Sequence, residues 1–229
     1  MKPRQLFAFR SLPFPVLILA GTIVSQSAQA ATYYWDNNGT IAGFGTAGST
    51  WGTDAFWTTD ASGVASPSAT STLVDDVNFG SATLALAAGT VGVSGTVSAQ
   101  SITFGFASGA IALSGGTSIT LGGTGKITVN NAADTIGSVI NGAADLTKLG
   151  TGILTLSAAN TYSGATTVHA GQLTVSGVTG TINNSSGVAV SAGATLNLDN
   201  SVGSLDRIKD IASLTLSADL YTLFCFVTH

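Results

Sequence analysis

Few residues in this chain have the types and spacing that chemistry demands. A Ser-His-Asp hydrolase needs a base beside its nucleophile, and the only histidines are His169 and His229. Neither a Gly-x-Ser-x-Gly elbow nor a Gly-Asp-Ser-Gly stretch occurs. His169 falls at an outward position of a short strand pattern and reads as a solvated side chain. Glycan-cleaving sites require carboxylates placed in pairs. The acidic doublet here is Asp75-Asp76, and no basic residue lies between Ala31 and Gly125, so the doublet reads as a turn cap. Asp36-Asn37-Asn38-Gly39 carries the oxygen donors of a calcium loop but lacks its spaced acids and bidentate glutamate. Trp51 and Trp57, read as exposed, offer ring faces on which sugars could stack. Asn38, Asn183 and Asn184 open Asn-x-Ser/Thr sequons, which matter only in a eukaryotic secretory route. The sequence therefore assigns no catalytic residue, no cofactor and no metal ligand.

Charge and targeting narrow the classes further. Lys2, Arg4 and Arg10 precede the largely apolar run 12–24, and Ala28-Gln29-Ala30 forms a small-x-small site. That is the pattern of a secretory signal peptide over residues 1–30, cleaved after Ala30. The apolar run is too short to span a bilayer, so no integral membrane segment is expected in the mature chain. Cleavage leaves Lys126, Lys148, Arg207 and Lys209 against eleven aspartates, a net charge of −7. Without a basic face, nucleic acid is excluded as a partner. The chain has no glutamate and 29 glycines. Aspartate and glycine favour turns over helix interiors, so an all-β chain is expected. Cys225 has no second cysteine to pair with, so packing and hydrogen bonds must hold the exported fold.

The elements follow from period-two alternation. Ile102 and Phe104 alternate with Ser101 and Thr103, and Leu154 and Leu156 flank Thr155. Leu173 and Val175 flank Thr174, Leu196 and Leu198 flank Asn197, and Leu214 and Leu216 flank Thr215. The steps from Ile102 to Ile119, Leu154 to Leu173, Leu173 to Leu196 and Leu196 to Leu214 suit one coil of about twenty residues. The spacing predicts parallel pairing between coils, aliphatics stacked inside and Thr, Ser and Asn rows outside. Gly115, Gly116, Gly122, Gly123, Gly150, Gly152 and Gly171 are expected at corners with positive φ. An antiparallel sandwich is the competing architecture. Residues 31–80 hold all three tryptophans and read as an N-terminal aromatic cap or lead-in. Residues 81–200 read as the repeats. Residues 201–229 read as an irregular, truncated tail, with an aggregation-prone apolar run over 220–227.

The stretch 146–175 resembles the autotransporter-associated β-strand repeat. The resemblance rests on Leu146, Thr147, Lys148, Gly150, Gly152, Leu154, Leu156, Asn160, Thr161, Tyr162, Gly164, Thr167, Val168, Gly171 and Leu173. Ala158, Ala165 and His169 depart mildly from the pattern. Trp35-Asp36, Trp57 and the run 75–80 resemble the lead-in that often precedes this repeat. The resemblance implies a right-handed parallel β-helix of passenger type, secreted or displayed at the cell surface with outer-membrane association. It also implies a structural or adhesin-like role without catalysis, with surface glycans or a host or neighbouring cell as partner. Two alternatives stay open: a carbohydrate-binding or carbohydrate-active β-helix module, and a truncated fragment without function.

Overall fold

The computed structural model describes residues 30–68, 70–202, 206–209 and 213–217. Residues 1–29 of the expected signal peptide, Cys225, His229 and the run 220–227 lie outside the described residues. Seventeen strands and no helix are found among those described. They are β1 (Thr32–Trp35), β2 (Thr50–Trp51), β3 (Trp57–Thr58), β4 (Asp76–Phe79), β5 (Gly89–Val93), β6 (Thr96–Phe104), β7 (Ile111–Gly115), β8 (Ser118–Val129) and β9 (Ala133–Ile136). They continue with β10 (Ile140–Asn141), β11 (Leu146–Leu149), β12 (Ile153–Leu156), β13 (Thr166–Val168), β14 (Gln172–Val175), β15 (Gly187–Val190), β16 (Thr195–Leu198) and β17 (Ser213–Leu216).

The strands coil into a parallel β-solenoid of about six turns. A ten-stranded sheet runs β17-β15-β13-β11-β8-β6-β4-β1-β3 with β10 branching from β8, and a seven-stranded sheet runs β16-β14-β12-β9-β7-β5-β2. The long strands β6 and β8 bend through a corner, so their first halves pair with each other, and β8 with β10, on a short third face. Alternation explains the burial. In β4, β6, β9, β12 and β15 the inward residues are buried and their neighbours are not. One inward row runs Val77, Ile102, Ile127, Lys148, Val168 and Val190, partnered strand to strand. Each fully buried aliphatic in such a row contributes about 1.5–3 kcal/mol.

Two of the four spacings pair as expected: Leu154 lies beside Leu173, and Leu173 beside Leu196. The other two do not. Ile102 pairs with Ile127 rather than Ile119, which sits beside Val97, and Leu214 pairs with Val188 rather than Leu196. Each mismatched pair lies on two different faces of the coil, and the faces carry the same alternation. The sandwich is excluded by parallel pairing throughout, with β1–β3 the antiparallel exception. Most of the corner glycines have positive φ, but Gly122 and Gly152 do not. Those two are small because backbone crowds them: a Cβ would stand 2.1 Å from Leu73 O and 2.0 Å from Asn131 O.

Candidate binding groove

The ten-stranded sheet turns alternate residues outward, and this sets a polar row across its rungs. Thr32, Asp76, Ser101, Lys126 and Thr147 are successive partners, one per strand from β1 to β11. The first four of them, Thr32 to Lys126, line a groove of about 350 Å³ with Asn78, Gln100, Thr103 and Thr124. Ser101 Oγ donates to Asp76 Oδ1, and Asn78 Nδ2 donates to Tyr33 O at 3.0 Å. The Lys126 side chain is exposed. The groove thus presents one carboxylate, one ammonium, two amides and several hydroxyls, which suits hydrogen bonding to a hydroxyl-rich ligand. Sequence reasoning separated Asp76 from Lys126 because fifty positions of chain lie between them; two turns of solenoid bring them onto one surface.

The residues singled out for chemistry scatter elsewhere. Of the doublet expected as a turn cap only Asp75 caps a turn, its carboxylate accepting from Ala31 N at 3.0 Å and from Thr72 N and Oγ1 at 2.7 Å each, whereas Asp76 opens β4 and accepts from Ser101 across the rungs. His169 is exposed, 3.4 Å from Ser191 Oγ. The exposed sugar platform is a correction. Trp51 is 2 % exposed and Trp57 1 %, their rings edge to face with centroids 5.4 Å apart. Both indoles are packed into an aromatic cluster with Trp35 and Phe79, so neither ring face is free for a sugar. Trp51 Nε1 donates to Ser71 Oγ at 2.9 Å, at the wall of a smaller cavity of about 180 Å³.

Sequence reasoning also missed a buried polar system. Lys148 sits inward, fully buried between Ile127 and Val168, and its ammonium donates to Leu149 O, Gly150 O and Ala170 O at 2.9, 2.9 and 3.1 Å. Burial pulls its pKa down to about 8, opposed by the charge of Asp134. Asp134 is also inward; burial pushes its carboxyl up to about 6. Its Oδ1 accepts from Ile111 N and Asn131 Nδ2, at 2.7 and 3.0 Å. Asn160 Oδ1 accepts from Ile140 N at 2.9 Å, while its Nδ2 donates to Ala158 O and Thr181 O. It thereby links three successive turns where the short third face has lost its strands. Tyr162 Oη, Thr166 Oγ1 and Ser185 Oγ form a buried chain with steps of 2.7 and 2.8 Å. The Lys, Asn and Tyr of the repeat pattern were visible in the sequence, but their polar side chains gave no sign of being interior, even though Lys148 stands two residues from the inward Leu146.

These features define a repeat-built β-solenoid with a polar outer groove and an interior polar network concentrated at the 146–175 repeat. Residues 146–175 match the family described as Passenger-associated-transport-repeat. The chain is 36% identical over 189 residues to the Adhesin BmaC autotransporter of Brucella suis biovar 1 (strain 1330), a match covering 82% of this chain and 5% of that protein. The chain therefore spans about one twentieth of the length of that curated relative. No solved structure matches. The chain is an autotransporter-passenger-like protein. Its address is secreted or at the cell surface, associated with the outer membrane. No helix among the described residues is long and apolar enough to cross a membrane.

Proposed function

We propose that this chain is a non-catalytic, adhesin-like passenger segment whose ten-stranded face makes the contact with a cell-surface glycan. The observation that carries the reading is the outward row from Thr32 to Lys126, a solvent-facing groove of amides, hydroxyls and one charge of each sign. The curated relative's name, an adhesin, points the same way. A hydroxyl-rich partner fits because every polar group in the groove hydrogen-bonds sugars without needing a metal or a deep apolar pocket. The aromatic residues 31–80 act as the closing end of the stack. Their short terminal strand β3 pairs antiparallel with β1 and covers the edge that a further rung would need.

The test is retention of the purified chain on a glycan array and on intact cells, with Gln100→Ala and Lys126→Ala in the groove. Retention that falls at least about tenfold in both variants supports the reading. Retention indifferent to both, or none at all, removes it. Release of reducing ends from a bound polysaccharide would overturn the non-catalytic part and favour a carbohydrate-active module instead.

A further inference from the structure

The structure leaves side-chain acceptor oxygens buried without a hydrogen-bond donor at Asn183 and at two pairs of nearby residues, and the pairs differ in the charge around them. One pair is Asn131 Oδ1 and Asp134 Oδ2, on directly bonded side chains. The other is Asp36 Oδ2 and Asn38 Oδ1, in the turn that leaves β1. A carboxylate oxygen buried without a partner is costly, so each pair calls for a positive group. At Asp134 the Lys148 ammonium supplies a positive field. At Asp36 there is none among the described residues. No lysine or arginine occurs between Ala31 and Gly125, and the neighbouring charge is a second carboxylate, Asp60, which pushes the Asp36 carboxyl further up beyond the effect of burial.

We propose that the Asp36–Asn38 turn binds a hard divalent cation, Ca²⁺, through Asp36 Oδ2 and Asn38 Oδ1. Asp36 is fully buried, and its Oδ1 is held by Asn38 N at 3.1 Å, which folds the turn and fixes the carboxylate. Asn38 and Gly39 are half-buried and Thr40 is exposed, so the turn lies just beneath the surface. No three His, Cys, Asp or Glu side chains gather at one point among the described residues. The ligand set here is instead one carboxylate and one amide oxygen, completed by backbone carbonyls and water, all of them donor types that Ca²⁺ accepts. A site with so few charges belongs to the weak end of calcium affinity, with Kd of about 10⁻⁴–10⁻³ M, the range of extracellular modules. That range is matched to an exported protein. Asp60 adds field rather than ligation, because its oxygens already accept from Ser62, Val64 and Ala65.

Trp35 precedes Asp36 and gives the probe. Terbium, a Ca²⁺ surrogate, is titrated into the purified full chain and its emission excited through tryptophan, with Ca²⁺ as competitor. Sensitised emission that Ca²⁺ displaces is expected. Asp36→Asn keeps the turn but removes the charge, and weakens terbium binding at least about tenfold; Asn38→Asp adds a charged ligand and tightens Ca²⁺ binding about tenfold. Where circular dichroism shows Asp36→Asn unfolded, Asn38→Asp alone decides. No sensitised emission, or an Asn38→Asp affinity equal to or weaker than that of the parent, overturns the proposal. So does an Asp36→Asn protein of unchanged terbium affinity, which would mean that a proton or a trapped water meets the two oxygens.

Discussion

The first rungs and the repeat rungs of this solenoid fill the same cross-section by different means. In the first rungs, Trp35, Trp51, Trp57, Phe79 and Phe104 form a chain of edge-to-face and stacked rings with centroids 5.0 to 6.2 Å apart. In the repeat rungs, aliphatic rows are interrupted by Lys148, Asn160, Tyr162 and Thr166, each hydrogen-bonded within the wall or the core. Aromatic volume is insensitive to which rung sits next to it. A buried hydrogen bond is not, because a slip of one residue leaves its partners bare. The difference teaches that bulk fills the first rungs, in keeping with the cap proposed for them, whereas placed polar groups favour one register between otherwise similar coils.

The largest test is at the aromatic end. Trp57→Ala removes a fully buried ring from the cluster and is expected to cost about 3–5 kcal/mol in denaturant unfolding. A cost below that of a surface change would break the claim that bulk holds this end. Next comes Lys148→Met, which keeps the length and loses the donors to three carbonyls. The expected cost is about 2–4 kcal/mol, since each unsatisfied buried group costs about 1–3. A neutral outcome would show that water replaces the ammonium and would erase the contrast between regions.

Asp134 gives a pH signature of intermediate size. Its folded pKa of about 6 lies above the ordinary 3.8, so the folded state binds the extra proton between those values. Stability is therefore highest below the ordinary value and falls as pH rises through about 6. The expected loss is about 1–3 kcal/mol. Asp134→Asn should flatten that slope in urea titrations run at several pH values. A smaller effect sharpens the comparison within the repeat: Tyr162→Phe removes one end of the hydroxyl chain and costs about 1 kcal/mol. His169→Ala, on the exposed face, should stay within about 0.5 kcal/mol.

The parallel stacking was legible because Leu154, Leu173 and Leu196 repeat one environment at nearly one spacing. It became illegible where two faces of a coil share a pattern, which is why Ile119 passed for the partner of Ile102. Among the strands from β4 onward partners stand from 19 residues apart, as Leu154 and Leu173 do, to 26, as Val188 and Leu214 do, while β1 and β2 lie 44 and 42 residues from their parallel partners. Alternation marks a position as inward but does not say that a lysine will occupy it. Lys148 is stable there only because Leu149, Gly150 and Ala170 turn their carbonyls toward it, and that is tertiary geometry. Trp51 and Trp57 misled for the opposite reason. Trp51 stands between Thr50 and Gly52 and Trp57 between Phe56 and Thr58, with no run of alternation long enough to mark an inward side, and only the convergence of β1, β2, β3 and β4 buries them. The groove was invisible for want of any local motif: Asp76, Ser101 and Lys126 share nothing but their rung position.

The reversed pairing of β3 on β1 gives the stack a polarity. A second molecule approaching from that side finds a two-residue strand of the wrong direction and cannot prolong the ladder. Addition of a further parallel strand is thereby disfavoured at that edge of the ten-stranded sheet, where a reversed two-residue strand takes the place of the next rung.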